Sequence, residues 1–221
     1  MKGLIETKQI RREMRSRRRL LSPDKRLRSA LALAKNVGKL WSFRNANRMA
    51  MYLPNDGEID PKPLIKRATD AGKVCYLPVL CPLGGKRLWF APYRLGGILK
   101  PNRFSIPEPI HSRRVRARSL DLILVPLVAF DPTGNRIGMG GGYYDQTLAF
   151  LSRRKHWRVP RTIGIAYDFQ CVPQIESRPW DMPLDAVVTE VKCYSGGGGG
   201  GLSSSSEDGC PSRTKLARLC R

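Results

Sequence analysis

Leu124-Val-Pro-Leu-Val-Ala-Phe-Asp131-Pro-Thr-Gly-Asn-Arg136-Ile-Gly-Met-Gly-Gly-Gly142-Tyr143-Tyr144-Asp145 is the stretch whose reading decides the fold. Its first half is apolar without alternation, as a strand buried on both faces must be. We read Leu120 to Phe130 as that strand, central in its sheet. Glycines then crowd between residues 138 and 142, and a helix is expected from about Tyr143 to Arg154. A buried strand feeding a loop and a helix is the repeating unit of an α/β domain.

The flanking sequence repeats the alternation. Residues 6–20 are helix formers. Ser22-Pro23-Asp24 restarts a helix with a cap, a proline in the first turn and an acid near it. Leu27, Leu31 and Ala34 follow at helical spacing and are taken as its packing face, with Gly38 near its end. Arg48 to Leu53 reads as a strand stopped by Pro54-Asn-Asp-Gly57. Asp60-Pro61 opens a helix over 61–71, Gly72 ends it, and Lys73 to Leu77 is the next strand. That βαβ unit implies right-handed, parallel pairing. Further strands are expected at 87–93, 162–166 and 186–189, with residues 94–119 irregular. The whole predicts a three-layer α/β sandwich, Rossmann-like, with a mostly parallel central sheet. Ligands of such sheets lie beyond the carboxyl ends of the strands, where the glycine loop and the turn after Leu53 would both stand.

Composition sets limits. The 221 residues carry a net charge of +22, and the first 50 hold 15 Lys/Arg against 3 Asp/Glu. Such a bias suits an anionic partner or a solvated basic surface. None of the six cysteines forms Cys-x-x-Cys or a zinc-spaced cluster. Cys75 and Cys171 sit in apolar runs and read as core thiols. The amino terminus has no hydrophobic leader core, and no apolar run reaches membrane-spanning length. A cytoplasmic protein with no membrane partner is expected. From Ser195 the chain is Gly/Ser-rich, so we place the domain at residues 1–194 and expect a disordered tail over 195–221.

The glycine loop reads as a nucleotide site. Backbone N–H groups of such a loop can cradle phosphates, because glycine admits positive φ and close approach. Asp145 beside it can hold the magnesium that travels with a nucleotide. No Lys follows Gly142, so this is not a Walker loop, and the dinucleotide fingerprint fits only by force. On spacing alone, a glycine-rich turn before a helix stays open as the alternative.

Four segments belong together: Lys8-x3-Arg12, the run from Tyr52 to Asp60, the glycine loop, and Trp180-Asp181-Met-Pro-Leu-Asp185-Ala-Val-Val-Thr-Glu190. Their order and wording resemble the 5-formyltetrahydrofolate cyclo-ligase family over residues 8–190. The resemblance implies closure of 5-formyltetrahydrofolate to 5,10-methenyltetrahydrofolate, with ATP as co-substrate and Mg2+ as cofactor. It implies that ATP phosphorylates the formyl oxygen, that N10 attacks the activated carbon, and that phosphate leaves. The physical demands are in-line positioning and neutralisation of growing charge.

The resemblance also implies residue roles. Lys8, Gln9, Ile10, Arg11 and Arg12 would form one wall of the ATP site. Arg136, Ile137, Gly138, Met139, Gly140, Gly141, Gly142, Tyr143 and Tyr144 would form the other. Lys8, Arg12, Arg136 and Tyr144 are the candidate catalytic residues. Lys8 and Arg12 lie four apart, on one helix face, while Arg11 and Arg15 are expected to be ordinary solvated charges. Leu53, Glu58 and Phe104 would meet the folate, Glu58 by accepting hydrogen bonds from the pterin. Asp145 and Asp181 match the magnesium carboxylates, though Asp185 is an equal candidate for the second. Met139 stands where some relatives have a basic residue, and Trp180 where His is expected. His111 and His156 receive no role. A monomer is expected, with reduced folate and ATP as its partners.

Two other readings compete. A basic RNA-binding protein would use the amino-terminal charge, but residues 11–19 lack interleaved aromatics and no RNP or KH signature occurs. A homologue without activity would not need the Arg136–Asp145 segment and Asp181 intact.

Overall fold

The structure is a computed structural model that describes residues 2–110, 113–153, 159–176 and 181–195. The expected tail from 196 onward, Trp180, His111 and His156 lie outside the described residues. Ser195, assigned to the tail on composition, is the last residue of a strand.

Seven strands form the main sheet. In chain order these are β1 (Arg48–Ala50), β2 (Val74–Leu80), β3 (Leu88–Pro92), β6 (Leu122–Pro126), β9 (Arg161–Ile165), β10 (Ala186–Val188) and β11 (Cys193–Ser195). Their spatial order is β11-β10-β9-β6-β1-β2-β3. The five inner strands are parallel, and β3 and β11 close the two edges antiparallel. The expected mostly parallel α/β sheet is thus the observed one, with β6 at its centre.

Both faces of the sheet are buried, which explains the unalternated apolar sequence of β6. Met49, Leu122, Leu124, Ile163 and Val188 face one core together with residues of α2 (Pro23–Lys39), α3 (Trp41–Asn45) and α4 (Lys62–Asp70). Ala50, Ile123, Val125 and Val187 face the other, with Leu148 of α5 (Tyr143–Leu148) and Leu151 in the 3-10 turn that follows it.

Four expectations need correction. The packing face of α2 is Ala30, Leu33, Ala34 and Val37, whereas Leu27 and Leu31 are exposed. Both sets share the helical spacing. The small residues face inward because α4 packs there; a Cβ on Gly38 would stand 2.5 Å from the Arg67 guanidinium. The apolar run 120–130 is not one strand. It leaves the sheet after Pro126, and β7 (Ala129–Phe130) pairs instead with β8 (Arg136–Ile137) in a separate ribbon. Residues 94–119 are not wholly irregular, because β4 (Leu99–Pro101) and β5 (Pro107–Pro109) form a small hairpin. Cys171 is only partly buried, while Cys75 is a core thiol as expected.

Asp131 explains the β7–β8 turn. Its Oδ1 accepts from the Thr133 and Asn135 N–H groups, its Oδ2 from the Ile175 N–H, each at 3.0 Å. The turn closes at Gly134, φ +93°, a conformation that glycine adopts freely. This fixes where the glycine loop begins. Among the described residues, no helix is long and apolar enough to cross a membrane.

Candidate active site

Helix α1 (Lys2–Arg19) lies across the carboxyl ends of the central strands. Met14 and Ile10 pack with Val128, Ala129 and Ile137 of the β7–β8 ribbon. Arg17 stacks over Phe169, which follows β9. The face turned to the domain therefore carries Arg11, Met14, Arg15 and Arg18. Lys8 and Arg12 are exposed beside it. Arg11 Nε donates to Gly138 O at 2.8 Å, and Arg15 pairs with Asp56 at 2.5 Å. The expectation that these two arginines are ordinary solvated charges is wrong, because they belong to the packed face.

The turn after β1 supplies the second wall. Met51 and Tyr52 are buried, and the Tyr52 hydroxyl donates to Ile59 O at 3.1 Å. Asp56 and Gly57 both have positive φ, +51° and +74°. Asp56 tolerates this because Arg15, Arg18 and Arg19 all reach its carboxylate. Burial alone would raise its pKa, but the bonds from Arg15 and Arg19 leave it lowered. Glu58 closes the turn, its Oε2 accepting from Asn55 N at 3.1 Å. Its side chain is 11% exposed, and Arg18 Nη1 stands 3.9 Å away. Burial pushes its carboxyl up to about 7, against the opposing effects of the Asn55 N–H and Arg18. Leu53 is half-buried at the edge of the core.

The glycine loop is the third wall. Gly140 and Gly142 adopt φ +94° and +70°. Residues 139–141 are exposed, and Arg11 lies 3.8 Å from where a Gly140 Cβ would stand. Arg136, at the root of the loop, is buried. Its guanidinium donates to Met182 O and to the Asp145 carboxylate. Burial lowers its pKa, opposed by the charges of Asp145 and Asp181 and by Tyr144. Tyr144 is held well above the usual phenol range, first by burial and then by the charge of Glu58. Glu58, Tyr144, Arg136, Asp145 and Asp181 therefore form one electrostatic neighbourhood. Phe104, at the tip of the β4–β5 hairpin, meets Tyr143 edge-on at 6.0 Å, and Arg103 donates to the Tyr143 hydroxyl at 3.1 Å.

Asp185 is separate. It is buried, accepts from Thr162 N at 2.7 Å and pairs with Arg161 at 3.3 Å. Of the two acids in that segment, Asp181 is the one beside the loop. No group of three or more His, Cys, Asp or Glu residues that could hold a metal occurs among the described residues. Two carboxylates still suit magnesium, which commonly takes one or two of them and completes its shell with phosphate and water.

Sequence reasoning missed Arg18, Arg103 and the role of Asp56. Asp56-Gly57 is a legible turn, but nothing in sequence says which arginines close on it.

The family model described as the 5-formyltetrahydrofolate cyclo-ligase family matches residues 5–190. The 5-formyltetrahydrofolate cyclo-ligase of Escherichia coli (strain K12) is 40% identical over 185 residues, covering 82% of this chain and 98% of that protein. The Mus musculus protein of the same name is 29% identical over 191 residues, covering 82% and 92%. The solved structure of Aquifex aeolicus 5,10-methenyltetrahydrofolate synthetase superposes with a TM-score of 0.72 at 30% identity, covering 92% of this chain and 99% of that one. With its fold, its three-walled site and a match that spans most of its length, this chain belongs to the 5-formyltetrahydrofolate cyclo-ligase family.

Proposed function

We propose that the chain is an ATP-dependent ligase that closes 5-formyltetrahydrofolate to 5,10-methenyltetrahydrofolate. The observation that carries this is the meeting of a buried acid, Glu58, with the glycine loop and the Arg136–Asp145–Asp181 charges at the carboxyl end of the sheet. One side suits a reduced pterin and the other a nucleotide triphosphate.

The chemistry runs in two stages. The formyl oxygen attacks the terminal phosphorus and ADP leaves. N10 then attacks the formyl carbon, loses its proton, and phosphate departs with the former formyl oxygen. No protein nucleophile is required. Glu58 accepts from the pterin N–H donors and orients N5 and N10. Leu53 and Phe104 flank the ring. The N–H groups of residues 138–142 face the phosphates, and Lys8 and Arg12, two of the exposed cations of α1, close over them. Arg11 holds the loop through Gly138 O, so it acts on the ATP site from beneath. Arg136 and Tyr144 form the floor, where fixed charges and dipoles are worth more than in water. Asp145 and Asp181 would hold magnesium, which when bound neutralises charge on the phosphates. Freeing Asp145 for a metal requires Arg136 to share it.

A reducing, cytoplasmic setting suits the buried thiol of Cys75. The amino-terminal charge has no need of RNA as its explanation, since Arg11, Arg15, Arg18 and Arg19 are engaged within the fold. The test is direct. Purified protein mixed with 5-formyltetrahydrofolate and Mg-ATP should produce the absorbance of methenyltetrahydrofolate, with one ADP per product. No signal with both substrates saturating would refute the reading.

A further inference from the structure

Arg18 has no solvent exposure, and among the described residues it is the largest side chain so enclosed. Three segments meet on it. Its Nη2 lies 3.3 Å from Asp56 Oδ2, its Nη1 lies 3.9 Å from Glu58 Oε1, and Nη1 donates to Leu127 O at 3.3 Å. Asp56 does not depend on Arg18, because Arg15 and Arg19 each approach that carboxylate to 2.5 Å. Glu58 does: Arg18 is its one cation within ion-pair distance among the described residues. The other groups acting on or beside Glu58 are the Asn55 N–H, Asp56, Tyr52 and Tyr144, none of them cationic.

The distance matters. At 3.9 Å the guanidinium stabilises the carboxylate charge without donating a hydrogen bond to it. Oε2 accepts from Asn55 N, and among the described residues no hydrogen bond reaches Oε1. A shorter pair would take up one of the acceptor sites that a substrate could use. The backbone keeps the spacing: a Cβ on Gly57 would stand 3.2 Å from the Arg18 carbonyl, so the turn and α1 touch directly.

We propose that Arg18 is a positioning residue for folate binding, favouring the charged form of the Glu58 carboxylate and keeping it aimed and unsaturated for the N–H donors of the reduced pterin. This rests on the reading of Glu58 as the pterin acceptor. A guanidinium that merely pinned α1 would serve both substrates alike, because α1 also carries Arg11 to the ATP loop.

Steady-state cyclisation by Arg18→Gln, Arg18→Lys, Glu58→Gln and the double variant Arg18→Gln/Glu58→Gln tests this, with thermal melts on each. Arg18→Gln should raise the KM for 5-formyltetrahydrofolate about tenfold and the KM for ATP less than about threefold. The acid limb of kcat/KM for the folate should move up by about one pH unit, since the cation favouring ionised Glu58 is gone. Arg18→Lys should restore most of that limb. In the Glu58→Gln background the same replacement should change the folate KM less than about threefold, because the two residues act as one unit. Equal rises in both KM values, or fully additive effects, overturn the proposal. Should Arg18→Gln fail to fold, Arg18→Lys carries the same cycle with a smaller KM rise that again vanishes beside Glu58→Gln. A Glu58→Gln enzyme with native folate KM overturns the reading of Glu58 and this proposal together. A Glu58→Gln defect beside a native Arg18→Gln folate KM removes the role of Arg18 alone.

Discussion

Glu58→Gln should stabilise the unliganded protein while weakening folate binding, and the size of the gain follows from the site. Burial lifts the Glu58 carboxyl from the usual 4.5 to about 7. Ionising it in the folded protein therefore costs about 3 kcal/mol more than in the unfolded chain. The sign needs care. Below pH 4.5 the group is protonated in both states and contributes nothing. Between 4.5 and about 7 the unfolded chain ionises first, so the native state loses stability as pH rises. Above about 7 the full penalty is present and constant. Gln mimics the protonated acid and carries no such penalty. In a domain of this size about 1 kcal/mol moves Tm by roughly 2–4 °C, so the variant should melt roughly 6–12 °C higher than wild type at pH 8. At pH 5 the difference should shrink to a small part of that. Thermal melts of both proteins at several pH values measure it, and other titrating groups cancel in the comparison. An equal difference at pH 5 and pH 8, or a variant less stable at pH 8, would refute the argument. The site would then be trading stability for function in some other way than a buried acceptor.

The other predictions concern the phosphate side and the carboxyl terminus. Asp145→Asn should lower turnover on the order of a hundredfold, as loss of one electrostatic element does, and raise the magnesium needed for half activity; Asp145→Ala should in addition lower Tm, because it strands the buried Arg136 guanidinium. Arg12→Ala should cost turnover on the order of a hundredfold. Arg11→Ala should cost about tenfold, through the lost charged hydrogen bond to Gly138 O, seen chiefly in the KM for ATP; a silent Arg11→Ala would contradict the role given to the packed face. A chain ending at Ser195 should keep the Tm and activity of the full chain, because Gly and Ser offer little apolar surface to offset the entropy of ordering; a clear drop in either would show that the segment packs on the domain.

The sheet was legible because burial on both faces leaves a mark that propensity cannot hide. Leu120 to Phe130 had to be internal, and the βαβ order around residues 48–80 had to be parallel. The edge strand β3 was legible at 87–93, but the three-residue strands β4, β5 and β11 were not. β11 is three residues, Cys193–Ser195, at the start of a glycine run, and β4 and β5 both contain prolines. Such strands exist by pairing with a neighbour, which local sequence does not record. The end of β6 is similar: the apolar run continues past Pro126, and only the ribbon with β8 shows that it has left the sheet. The face of α2 was misread because Leu27-Leu31 and Ala30-Ala34 have the same period, and hydrophobic size favoured the wrong pair. What decided between them was the close approach of α4 over Gly38.

The arginines of α1 show where a charged site stops being readable. Residues 11, 12, 15, 17, 18 and 19 are chemically identical, and a helix places them all round its axis. Resemblance singled out Lys8 and Arg12, which are exposed and free to meet a ligand. Periodicity alone then assigned Arg11 and Arg15 to solvent, because they do not share that face. The apolar residues would have corrected this. Ile10 and Met14 mark the buried side of α1, and Arg11, Arg15 and Arg18 fall beside them at spacings of one and four. A packed arginine must find acceptors, or its burial is prohibitive. The acceptors here are Asp56 and Glu58 in the turn after β1, Leu127 O just after β6, and Gly138 O just after β8. One helix thus ties the glycine loop to the Asp56–Glu58 turn, through cations on its inner side.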